Sequence, residues 1–165
     1  MNESALKNLI RVGVVSSINP ANGTAKVVFH EKGGLVSGDL PIIYRQTFRN
    51  KDYQMPDIDE QVVCLFLENG LEQGFILGAV YSSEDVPPSS DPNKRVIRFQ
   101  DGTVIEYDRE SHKLTASVNG TAEITASHTT INGDVTINGT LTLSGINMNT
   151  HKHPESIGTI TGVPQ

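Results

Sequence analysis

Near one end of the sequence, Asn147-Met148-Asn149-Thr150-His151-Lys152-His153-Pro154-Glu155 carries two histidines one residue apart. On an extended strand residues i and i+2 share a face. His151 and His153 would then project together while Lys152 points away, and Pro154 biases His153 toward an extended backbone. Taken alone, such a pair reads as two solvated imidazoles in a tail. Gathered from three chains on a symmetry axis, it supplies six nitrogens. That donor set suits an octahedral transition metal such as Fe(II), whereas structural zinc prefers four tetrahedral ligands.

The other reactive residue types carry less. Asp57, Asp59 and Glu60 form a carboxylate cluster in a polar stretch, which reads as a solvated loop. Cys64 is the one cysteine, so no intrachain disulfide is possible, and its place in the run Val62-Val63-Cys64-Leu65-Phe66-Leu67 makes it a buried small hydrophobe. His30 ends an expected strand, His112 falls in a polar turn and His128 in a Ser/Thr-rich stretch. No Gly-x-Ser-x-Gly or His-Glu-x-x-His pattern occurs, and the expectation is that the protein is not an enzyme.

The elements that must position the histidine pair follow from composition and pattern. Only 36% of the 165 residues are hydrophobic and 5% aromatic, with no Trp. Globular chains approach one half apolar, so a core completed by association is expected. The net charge of -6 argues against nucleic-acid binding, which rests on phosphate neutralisation. No signal peptide is evident, and no apolar run approaches the ~20 residues of a membrane helix, so synthesis and folding in a cytoplasm are expected.

Residues 1–83 read as a small β-barrel. Leu6, Leu9 and Ile10 suggest a short helix or docking segment, and strands are expected at 12–18, 24–30, 39–44, 62–67 and 75–81. Asn22-Gly23 marks a hairpin between the first two. Five short strands with Gly-rich turns fit a five-stranded barrel such as the OB-fold. Residues 84–94, with Pro87-Pro88-Ser89-Ser90-Asp91-Pro92, are a linker.

Beyond it, residues 95–99 and 103–107 form a hairpin around Asp101-Gly102, and residues 113–118 follow as a third strand. From Leu114 to Thr150 the only formal charges are Glu123 and Asp134. Within that stretch a six-residue pattern recurs: Thr130-Ile131-Asn132-Gly133-Asp134-Val135, Thr136-Ile137-Asn138-Gly139-Thr140-Leu141, Thr142-Leu143-Ser144-Gly145-Ile146-Asn147. One copy cannot bury its apolar residue. A single-chain solenoid would need several coils and a cap. Three chains wound around one axis solve the same problem within this length, and an intertwined trimer is favoured.

The order of barrel, Pro/Ser linker, Asp101-Gly102-Thr103-Val104-Ile105-Glu106-Tyr107-Asp108, Thr/Asn/Gly repeat and Thr150-His151-Lys152-His153 resembles the baseplate assembly protein V family, the central tail spikes of contractile-tailed phages and related bacteriocins. The resemblance covers essentially the whole chain. It implies an all-β obligate homotrimer: an OB-fold collar (1–83) that docks on the tail hub, a linker (84–94), a triple-stranded β-helix shaft (95–147) and a metal-binding apex (148–165). It implies one iron ion per trimer, held by His151 and His153 of each chain, with calcium or chloride in the shaft unassigned to residues. It further implies a virion baseplate component, assembled in the host cytoplasm, that pierces the host outer membrane when the sheath contracts. The competing expectations are an oligonucleotide-binding OB module, which the acidic balance disfavours, and a component that degrades the cell envelope.

Overall fold

The computed structural model describes residues 9–67 and 73–152. It is all-β, with one 3-10 turn at His30–Lys32 among the described residues, and divides into two compact units, 1–119 and 120–165. No helix among the described residues is long and apolar enough to cross a membrane.

In the first unit the alternation of apolar residues builds a sheet with one buried face. Strand β1 (Ile10–Asn19) pairs antiparallel with β2 (Thr24–Phe29) through its second half and with β5 (Gln61–Phe66) through its first, and β5 pairs with β6 (Gly74–Ala79). Two short strands, β3 (Leu35–Val36) and β4 (Leu40–Pro41), both pair with β2. Pro41 has no N–H to continue a ladder. The chain instead crosses over: Ile42 forms a parallel bridge with Ile76 of β6, and the Ile43 N–H donates to the Ile76 carbonyl at 3.0 Å. The pairing path therefore closes as β2, β1, β5, β6, residues 40–43 and back to β2.

Every second residue of β2 and β5 points inward, so Ala25, Val27, Phe29, Val62, Cys64 and Phe66 are buried together with Val15, Leu40 and Ile76. Phe29 and Phe66 meet edge to face at 5.6 Å, with the Arg11 guanidinium 5.8 Å from the Phe29 ring centre. A register shift between Val15 and Ser17 leaves Ser16 as an extra residue in β1, where its hydroxyl donates to the Lys26 carbonyl at 3.2 Å. Such a bulge bends the strand, which lets β1 serve two partners. Buried Ser37 bridges the gap between β3 and β4: its hydroxyl accepts from the Val27 N–H at 2.9 Å and donates to the Gly38 carbonyl at 2.8 Å.

Several sequence expectations are refined. The stretch 39–44 is a strand that changes partners after two paired residues, not one continuous strand. His30 lies in the 3-10 turn after β2. Ile10 opens β1 and the Leu9 carbonyl accepts from the Phe66 N–H at 2.7 Å, so these residues extend the sheet. Leu6 lies outside the described residues. Residues 84–93 form no strand and are folded by serine and aspartate turns, Ser82 accepting from Asp85 N–H and Ser89 from Asp91 N–H.

The unit also contains an antiparallel meander, β7 (Lys94–Arg98), β8 (Val104–Asp108) and β9 (Lys113–Ser117). Asp101 tightens its first turn by accepting from the Thr103 N–H at 2.8 Å, and Lys94 pairs with Glu106 at 2.9 Å.

Gly13 shows how tightly the barrel is packed. A Cβ there would lie 2.6 Å from Val27 Cγ1 and 2.7 Å from Phe29 Cε1, both side chains locked in the core. Gly13→Ala is expected to cost about 1–3 kcal/mol by overpacking. Chemical denaturation should show a lowered midpoint with an unchanged slope; an unchanged midpoint would mean that the core has slack at this point.

Candidate metal centre

The approach to the histidine pair is built by a chain reversal. Strands β10 (Thr142–Leu143) and β11 (Ile146–Asn147) form a two-residue hairpin whose loop residues Ser144 and Gly145 have φ of 49° and 81°. Positive φ at both loop positions is the type I′ turn that matches strand twist. The Met148 N–H donates to the Leu141 carbonyl at 2.8 Å, continuing the ladder past β11. The Asn149 side chain then reaches back, accepting from the Leu141 N–H and donating to the Gly139 carbonyl, each at 3.3 Å.

A second turn follows at once. The N–H groups of Thr150 and His151 both donate to the Asn147 carbonyl, at 3.3 and 3.0 Å. This turn carries the His151 ring back over the backbone, where Nδ1 lies 2.9 Å from the Met148 carbonyl oxygen. A carbonyl can only accept, so Nδ1 is the donor in this bond. Metal-binding histidines are commonly oriented this way, by a backbone carbonyl holding the nitrogen that does not ligate. His151 is half-buried and Lys152 exposed. His153 lies outside the described residues. A single chain brings no group of three or more His, Cys, Asp or Glu side chains together to hold a metal, among the described residues.

The reversal at Ser144-Gly145 is what reading the repeat as three equivalent copies misses. Gly133 and Gly139 have φ of 144° and 154°, an extended mirror-image conformation open to glycine, and the chain runs on through them. The signal for the difference is the residue after the glycine. In the third copy it is Ile146, which can face Leu143 across the turn; in the first two it is Asp134 and Thr140.

No protein-family model matches the chain. Over 123 residues it is 34% identical to the "Spike protein" of Escherichia phage P2, an alignment covering 74% of this chain and 57% of that relative. The chain is similar to a phage spike protein. It spans a little over half the length of that relative.

The remaining candidates in this spike-like chain stay apart from the histidines' hairpin in the pairing scheme. Asp57, Asp59 and Glu60 sit on the loop entering β5, where Glu60 Oε2 accepts from the Asp57 N–H at 2.9 Å, and Asp57 and Asp59 are exposed. The His128 ring nitrogen Nε2 contacts the Thr130 hydroxyl at 3.0 Å in an exposed stretch. Cys64 is fully buried in the barrel core, and burial pushes its thiol up to about 11. It therefore has neither the access nor the thiolate that a nucleophile needs. Because the folded protein holds this thiol neutral, its contribution to stability is complete below the ordinary thiol range and is lost as pH rises through about 11. A thiol reagent at pH 8 should leave the native protein unmodified and label one cysteine after denaturation; rapid labelling of native protein would contradict the buried assignment.

Proposed function

We propose that this chain is the subunit of a homotrimeric tail spike of a contractile phage or phage-like particle, a mechanical part rather than an enzyme. The observation that carries the reading is the state of residues 120–140. Among the described residues none in this range makes a backbone–backbone hydrogen bond, and its apolar side chains face solvent, Ile124 at 84% exposure and Ile131 at 67%. Extended backbone with apolar, β-prone side chains is stable only if partner strands satisfy it. Two further copies of the same segment, wound about a threefold axis, supply both the hydrogen bonds and the cover. Similarity to the phage P2 spike protein supports the same conclusion.

In this reading residues 1–83 are an OB-fold collar that docks on the tail hub, 84–94 a connector, 95–147 the shaft, a triple-stranded β-helix where the copies intertwine, and 148–165 the apex. The closed pairing path supports the OB-fold assignment. Its third segment, residues 40–43, lies parallel to its last strand β6, as the third and fifth strands do in that fold. At the apex His151 and His153 of each chain would hold one iron ion through six imidazole nitrogens. The Nδ1–Met148 bond fits this role, since it presents Nε2 as the ligating atom. An ion so held adds cross-links between the three chains at the apex. Sheath contraction supplies the energy, and the spike transmits it through the host outer membrane in the assembled virion.

The test is elemental mass spectrometry on untagged protein whose mass is set by light scattering. The expected result is about one iron for every three chains, and His151→Ala combined with His153→Ala should abolish it. A monomer without metal sinks the proposal.

A further inference from the structure

The β7–β9 meander presents an inverted sheet. Its register places Ile97 opposite Ile105 and Ile105 opposite Ala116, with Tyr107 opposite Leu114 in the next row. All of these side chains share one face, and that face is the exposed one: Ile97 is 49% and Leu114 70% accessible. The other face carries the half-buried Val96 and Val104 among Lys94, Arg98, Glu106, Asp108 and Lys113, and there Lys94 and Glu106 satisfy each other. A small sheet whose apolar side meets water is an association surface. By the same register the apolar face bears no carboxylate in its paired rows and one cation, Arg95 at its margin. Copies can therefore meet there without burying opposed acids.

We propose that this face is where three copies of the chain first associate, and that it sets the register of the repeat segment that follows in the shaft. The inference rests on the trimer reading and goes beyond it. The repeat alone cannot define its own register: a slip of six residues sets Ile131 of one chain against Ile137 of the next and Gly133 against Gly139, with little loss of contact. The meander has no such ambiguity, because all its pairings are made within one chain by tight turns. Its exit is also fixed. Asn119 donates from its backbone to the Thr103 hydroxyl at 3.0 Å and from its side chain to the Asp101 carbonyl at 2.7 Å. Three meanders joined by their apolar faces would deliver three chains into residues 120–140 at the same starting residue.

The experiment compares two full-length variants by light scattering, with circular dichroism to verify the barrel. Ile131→Asp combined with Ile137→Asp is expected to remain trimeric while losing shaft structure. Ile105→Asp combined with Leu114→Asp is expected to be monomeric with the barrel intact. Against misfolding of the second variant stands a milder probe: Ala116→Cys in a Cys64→Ser background has one thiol per chain, so a short bis-maleimide should give covalent dimers and a three-armed maleimide covalent trimers. A monomeric repeat variant, a trimeric meander variant or a trimeric Ala116→Cys protein that does not cross-link would each overturn the proposal while leaving the spike reading in place. A monomeric wild-type chain would overturn both.

Discussion

Extended backbone must have its amides and carbonyls paired or wetted, and the two units of this chain meet that requirement in opposite ways. The barrel pairs its strands within one chain, down to the substitution of a serine hydroxyl for a missing ladder partner at Val27. Residues 120–140 make no backbone–backbone pair among the described residues, although the Asn149 side chain reaches the Gly139 carbonyl. The composition differs accordingly. The barrel has the Phe, Leu, Ile and Val needed to fill an interior, whereas the repeat offers two apolar residues per copy, too few to bury one another.

That division explains what could be read in advance. Strands β1, β2, β5 and β6 are legible because each alternates or runs apolar and ends at a strong turn signal such as Asn22-Gly23. The meander is legible for the same reason, from Asp101-Gly102. The crossover at Pro41–Ile43 was not, because it depends on the distant Ile76 accepting from Ile43, which no local pattern encodes. Nor was β3, two residues long and held by β2 alone.

The histidine pair was legible as a spacing but not as a geometry. Strand alternation would put His151 and His153 on one face, yet the orientation of the His151 ring comes from a turn closed on Asn147, and from Met148, a residue with no polar side chain to advertise its part. The third copy, which forms the hairpin, differs from both earlier ones at Leu143, Ser144, Ile146 and Asn147, and its Ile146 stands where they have aspartate and threonine. Physically, the chain turns back where cross-strand apolar contact becomes possible and runs on where it does not.

Charge distribution bears on the proposed trimer. On its threefold axis every charged side chain would meet two copies of itself, and in a desolvated interior that repulsion is strong. The stretch 114–150 has only Glu123 and Asp134, although the chain as a whole carries a net charge of -6. Thr, Ser and Asn replace the missing charges, keeping the outer surface hydrated without adding like-charge repulsion. The first cation after this stretch is Lys152, exposed beside His151. In the proposed trimer three such ammonium groups would remain in water beside the imidazoles. On an extended strand, the alternation that would put His151 and His153 on one face would also keep Lys152 from opposing a bound cation.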